Sequence, residues 1–187
     1  MDLFISKITF TPDATGLDVE SFGTPRRLAK AIKIDLTIDS PGDPLYADNS
    51  IAEMDTSFSG GTISINASDL KDSDAAELAG QVLDDNDVII GGNNDAANYY
   101  ALGFRANKPS GKFRYIWLYK TSFQLINDSF QTKTKTTAYS TPTLQGSFMT
   151  LNKNGYWKAD KTMLPSEATA QTWFNEVYEP EITPSAP

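Results

Sequence analysis

The sequence predicts a mainly β protein with a flanking α-helix. Runs of apolar/polar alternation recur along the chain between clusters of Gly, Pro and Asn. One segment carries the strongest helical signal, with acids in its first turn, and one run is apolar on both faces, as the middle of two packed layers requires. The 187 residues, 40% of them hydrophobic, suffice for one globular core and are few for two, so a single domain with extended arms is expected.

Residues 1–27 contain Thr-Pro at 11–12, Thr-Gly at 15–16 and Thr-Pro-Arg-Arg at 24–27, with clear alternation only over 3–10. They read as an N-terminal arm holding one short strand. Over 31–39, Ile32, Ile34, Leu36 and Ile38 fall on one face and Lys33, Asp35, Thr37 and Asp39 on the other, the pattern of a half-buried strand. Ser-Pro-Gly-Asp-Pro at 40–44 ends it. A second run sets Ala52, Met54, Thr56 and Phe58 against Glu53, Asp55, Ser57 and Ser59, followed by Gly60-Gly61 and then Ile63 and Ile65. The two strands are expected to pair as a hairpin across residues 41–50, a loop of roughly ten residues where two to five are usual. So long a connection between good strands serves assembly or is a plain surface loop.

Ser68 caps a run over 68–83 with early acids, Ala-rich content and apolar Leu70, Leu78, Val82 and Leu83, the best helix in the chain. Asp84-Asp85-Asn86-Asp87 follows; it lacks the sixth-position Gly and distal Glu of a calcium loop and reads as a polar helix exit. Beyond Gly91-Gly92-Asn93-Asn94, strands are expected at 99–106, 112–126, 130–139, 143–151 and 156–160. A second helix is expected over 166–178, carrying Trp173, Phe174 and Val177, before an acidic, Pro-rich C-terminal arm at 179–187.

Composition restricts function. With no Cys and no His, thiol nucleophiles, disulfides, the usual zinc sites and Ser-His-Asp triads are excluded together. No run approaches the roughly 18 apolar residues of a membrane span, and the first residues lack the pattern of a leader, so a soluble protein assembled in cytoplasm is expected. A formal charge of -8 argues against a surface that grips nucleic acid through its phosphates. Residues 1–100 hold 18 acids and 6 bases, a balance of -12, whereas residues 101–187 hold 6 acids and 10 bases, a balance of +4. The split is either averaged within one fold or sets unlike faces on opposite sides of a subunit for head-to-tail association.

Four blocks carry a resemblance: Tyr100-Ala101-Leu102-Gly103-Phe104-Arg105; Gly111-Lys112-Phe113-Arg114-Tyr115-Ile116-Trp117-Leu118-Tyr119-Lys120; Gln131-Thr132-Lys133; and Thr141-Pro142-Thr143-Leu144-Gln145-Gly146. In this order they resemble the major tail (tail tube) proteins of long, non-contractile-tailed bacteriophages of Gram-positive hosts. The resemblance weakens in residues 1–27 and after Tyr178. It implies a sandwich or barrel of two orthogonally packed sheets with a flanking helix, an extended loop and terminal arms. It further implies a structural virion protein whose hexameric rings stack into the tube that conducts double-stranded DNA during genome ejection. The implied partners are further copies of the chain, a tape measure protein and DNA held in the lumen without specific binding, and tail terminator and distal tail proteins at the ends. No catalytic residue, cofactor, metal or membrane comes with it.

The geometry of such a tube is self-consistent. If each subunit lends four strands, from hairpins 31–59 and 112–139, six subunits at about 4.8 Å spacing and about 40° tilt close a barrel roughly 48 Å across. Side chains remove about 10 Å, leaving room for a duplex about 20 Å wide. A wall along which DNA slides should carry like charge, and Asp35, Asp39, Glu53 and Asp55 are candidate lumen-lining residues; the other reading turns that face outward to solvent. Candidates for contacts between subunits or rings are Pro41, Gly42, Asp43, Pro44, Leu45 and Tyr46 of the long loop. Lys133 and Lys135 join them, in a strand polar on both faces that reads equally as a guarded edge.

The ladder Phe113, Tyr115, Trp117 and Tyr119, with Ile116 and Leu118 opposite, suits the middle of two packed layers; read instead as a stacking platform it would suit nucleic acid or sugar. Two competing functions remain. One is a receptor- or carbohydrate-binding β-domain of another tail component, which needs exposed aromatics. The other is a hydrolase, which needs two carboxylates about 5–10 Å apart in a cleft.

Overall fold

The computed structural model describes residues 1–12, 18–40, 44–47, 50–54, 58–124 and 143–180, with the backbone alone over 44–47 and 50–54. The chain is mainly β, and its strands are β1 (Asp2–Pro12), β2 (Asp18–Phe22), β3 (Arg26–Asp39), β4 (Pro44–Ala47), β5 (Ser50–Met54), β6 (Gly60–Ala67), β7 (Val82–Leu83), β8 (Ile89–Ile90), β9 (Tyr99–Asn107), β10 (Phe113–Phe123), β11 (Thr143–Met149) and β12 (Lys158–Met163). Two short helices are described, α1 (Asp72–Ala79) and α2 (Ala168–Thr172).

One large antiparallel sheet runs β11-β6-β3-β1-β9-β10-β12, with β2 added to β1. The far end of β10 also pairs with β11, Lys120 to Phe123 against Met149 to Gly146. The path β11-β6-β3-β1-β9-β10 therefore closes on itself, leaving β2 and β12, each paired on one side among the described residues, as the open edges. Alternation then sends every second residue inward: Leu3 and Ile5, Ala29 and Ala31, Ile63 and Ile65, Leu102 and Phe104, Ile116 and Leu118, Leu144 and Phe148 form one interior cluster. Each such Leu, Ile or Phe contributes about 1.5–3 kcal/mol by leaving water.

A second apolar layer lies on the opposite face of β9 and β10. Ala101, Tyr115, Trp117 and Tyr119 pack with Leu151, Met163, Ala170, Trp173 and Val177. The sequence expectation for β10 is met: its two faces serve two clusters, and Trp117, wholly buried, donates its indole N–H to the Trp173 carbonyl at 3.0 Å. Phe174 stacks on Phe4 at 4.4 Å, so the C-terminal segment is fastened across β1 as well.

Several expectations are corrected. Residues 2–12 are no arm: β1 pairs with both β3 and β9, and Leu3 and Ile5 lie in the interior. The signal is the alternation over 3–10, which cannot distinguish an arm strand from a central one. The expected pairing of 31–39 with 52–58 also fails over 52–54, residues 55–57 lying outside the described ones. β3 pairs with β6, Leu36 opposite Ile63 and Asp35 opposite Ser64, while β5 pairs with β4 as a separate two-stranded ribbon. The alternation of 50–54 was satisfied locally, by the segment just before it.

The apolar face of β3 is interrupted by a register shift between Ala31 and Lys33. Ile32 is the extra residue of that bulge and stands 63% exposed, while Ile34 and Leu36 face Ile65 and Ile63. The helix expected over 68–83 stops at Ala79 because Gly80 is left-handed (φ 73°), its N–H and that of Gln81 closing back on the Glu77 and Ala76 carbonyls. Any side chain at Gly80 would meet the Ala96 carbonyl. Val82 and Leu83, expected at the helix end, are therefore strand residues. The second helix is likewise shorter than 166–178, since residues beyond Thr172 turn so that Trp173 and Val177 reach the outer cluster.

Candidate functional surfaces

Cross-strand partners share a face, and on β3, β6, β11 and the end of β10 the face turned away from the interior is polar from Lys33 to Asp39 and from Thr143 to Ser147, with Met149 beside Lys120 at its apolar limit. Asp35, Ser64 and Gln145 form one row; Thr37, Thr62, Ser147 and Ser122 form the next. Asn66 and Thr143 extend it, joined by a hydrogen bond of 2.8 Å. Asp35, Thr37, Thr62, Ser64, Gln124 and Gln145 line a shallow hollow of about 280 Å³. Over Ala31–Asp39, the stretch of β3 paired with β6, the one base is Lys33, paired to Asp35 at 2.7 Å; Lys30, just before it, is exposed. The surface thus offers hydroxyls, amides and carboxylates and little free positive charge.

Of the four candidate lumen acids, Asp35 and Asp39 lie together on this face, both exposed. Glu53 sits on the β4–β5 ribbon opposite Leu45, and Asp55 lies outside the described residues. Among the candidate contact residues, Pro44, Leu45 and Tyr46 form the first strand of that ribbon. Pro41, Gly42, Asp43, Lys133 and Lys135, together with the strand expected at 130–139, lie outside the described residues.

The aromatic ladder is not a platform. Tyr115, Trp117 and Tyr119 are at most 2% exposed, covered by the C-terminal segment. Burial pushes the Tyr119 phenol well above its ordinary value, and its hydroxyl donates to the Tyr178 carbonyl at 2.7 Å. Burial, with Glu77 beside it, raises Tyr100 in the same way. Both are structural phenols holding other elements to the sheet.

A buried ion pair has no counterpart in the sequence reading. Lys120, 6% exposed at its side chain, meets the fully buried Glu20 at 2.5 Å, between residues a hundred positions apart. The other Glu20 oxygen accepts the N–H groups of Asn152 (2.7 Å) and Lys153 (3.3 Å). The rings of Phe10 and Tyr99 flank the ammonium at 5.2 Å each. The pair therefore fastens β2 to β10, and the second Glu20 oxygen ties both to the connection after β11. Its one visible sign in the sequence was a lysine at the end of a doubly apolar strand, which cannot be buried without a partner.

At the rim of β12, burial works against the Asp160 charge, but Arg114 (2.8 Å) and Lys158 (2.8 Å) outweigh it and hold the carboxyl below its ordinary value. Asp84 is also lowered, by the N–H groups of Val88 and Asn86 that close the β7–β8 turn.

Compared with family models, curated proteins and solved structures, the chain finds no match.

Proposed function

We propose that this chain is the tube subunit of a long, non-contractile phage tail, with hexameric rings stacked into a conduit for double-stranded DNA. The carrying observation is the polar outer face of four contiguous strands, β3, β6, β11 and the end of β10. Four strands per subunit is the number that closes a barrel roughly 48 Å across from six copies. In this reading the strands that form the wall are these four, in place of 31–59 and 112–139, and the closed path divides into two packed sheets: the wall sheet, and β1-β9-β10 with β12 behind it. Hydroxyl, amide and acidic groups keep the duplex hydrated and centred, whereas a basic wall would bind phosphates and slow it. The blocks over 99–149 that resemble tail tube proteins support the same reading, and the β4–β5 ribbon is a piece available for contact between rings.

Negative-stain microscopy of the purified chain tests this: stacked rings or tubes support it, and monomers under every condition refute it. Within virions, Asp35→Asn with Asp39→Asn, the two acids on this face, should leave tubes intact and slow genome ejection. Unchanged ejection kinetics would remove these acids from the lumen.

A further inference from the structure

The short ribbon formed by β7 and β8 is unusual for what it leaves in water. Val82 pairs with Ile90 and Leu83 with Ile89. Leu83 turns toward α1, where it shares a hollow with Ala76 and Gly80, while Val82, Val88 and Ile90 stand 61%, 54% and 52% exposed. An isolated two-stranded ribbon has little stability of its own, and three β-branched apolar side chains at its surface give it none unless something covers them. Its tip is acidic: Asp84, Asp85 and Asp87 carry three carboxylates, and none of them has a Lys or Arg partner among the described residues.

A surface of the opposite kind lies at the other end of β9. Of the bases described in the second half of the chain, Arg114, Lys120, Lys153 and Lys158 are paired with carboxylates. Arg105, Lys108, Lys112 and Lys161 have no carboxylate partner among the described residues, and the register gathers them. Arg105 and Lys161 flank Tyr115 on β9 and β12, and Lys108 and Lys112 close the β9–β10 turn through a 3.0 Å backbone hydrogen bond. This end is apolar as well as basic: the Arg105 guanidinium lies over Phe113 at 5.0 Å, and Leu164, one residue past the Phe113–Met163 pair, is 41% exposed.

The two surfaces cannot meet within one subunit. The ribbon follows α1, which Tyr100 holds at the start of β9 by donating to the Glu77 carbonyl, whereas the basic turn begins after Asn107. Seven residues of strand separate those anchors by about 23 Å. Unlike surfaces at opposite ends make a heterologous contact, the type that closes rings or extends stacks.

We propose that the β7–β8 ribbon of one copy docks on the β9–β10 turn and β12 rim of a second copy, its apolar residues covered and its acidic tip set against Arg105, Lys108, Lys112 and Lys161. The inference rests on the tube-subunit reading and names the surfaces that would join its copies. It also gives the charge division between the two halves of the chain a physical use.

Charge exchange tests it. Asp85→Lys, Asn86→Lys and Asp87→Asn reverse the tip while leaving Asp84, whose carboxylate shapes the turn, and avoiding a bulky residue at position 87, where φ is 61°. Lys108→Glu, Lys112→Glu and Lys161→Glu reverse the other surface. Each set alone should raise the concentration needed for assembly by about tenfold or more, and both sets in one chain should bring it back toward the parent. Far-UV circular dichroism and Trp fluorescence verify folding, and Asp85→Asn with Lys108→Gln as milder variants serve if a reversed chain does not fold. If the parent assembles and every folded variant assembles equally, or if the combined chain does not recover, the contact is wrong and the tube reading stands. A parent that never assembles overturns both.

Discussion

Replacing Lys120 with methionine should be among the most damaging single changes in this protein. The substitution keeps an unbranched side chain but removes the ammonium that lies over Phe10 and Tyr99, and leaves the Glu20 carboxylate fully buried with only the N–H groups of Asn152 and Lys153 to hold it. Breaking a buried pair by removing one partner costs about 3–5 kcal/mol, because the surviving charge must be desolvated or neutralised. Glu20→Gln removes the charge from the other side and strands the ammonium, at a similar cost. The double variant should recover part of the loss, with a coupling energy of about 2 kcal/mol. With a urea dependence of about 2–3 kcal/mol/M, each single variant should lower the unfolding midpoint by about 1–2.5 M. The assay is equilibrium urea unfolding by Trp fluorescence, at protein concentrations below self-association so that assembly does not add to stability. Costs below about 1 kcal/mol, the level of an exposed pair, or strict additivity in the double variant, would refute the argument.

Two further predictions concern stability. Folded Asp160 titrates below its unfolded value, so the stability it confers is present above the ordinary carboxylate range near pH 4 and lost as pH falls through the folded value; Asp160→Asn should flatten the acid limb of a pH–stability curve without moving the neutral plateau by more than about 1 kcal/mol. Gly103→Ala should lower stability by about 1–3 kcal/mol and alter the near-UV dichroism of the Trp bands, because a Cβ there would stand 2.7 Å from the Trp117 ring, and an unchanged spectrum would mean the ring has room to yield.

The β10 run shows how much of the site was legible. Aromatics at one parity and Ile116 and Leu118 at the other announce two apolar faces, and the two faces serve two clusters. The polar face of β3 was equally readable, since Asp35, Thr37 and Asp39 alternate with Ile34, Leu36 and Ile38. What lies beside that face was not. Ser64 lies beside Asp35, and Gln145 beyond Ser64, only because β3 pairs with β6 and β6 with β11, and pairing across the chain leaves no mark in local periodicity. Glu20 was invisible for the same reason: one acid in a Thr- and Gly-punctuated segment, given meaning by a lysine that only tertiary contact brings to it.

Composition and local alternation were enough for a mainly β chain, the strands that hold 99–106, 113–123 and 143–149, the two apolar faces of β10, and the lack of Cys and His. These are properties of composition and of neighbours two to four residues apart, which propensity and burial act on directly. Tertiary structure alone decided that β1 is central rather than an arm, that 50–54 folds back on 44–47, that Gly80 ends α1 early, and that the polar face spans four strands while basic and acidic surfaces stand at opposite ends of β9. Each depends on which distant segments share hydrogen bonds, and a two-residue period serves any antiparallel partner equally well until closure of the sheet selects one.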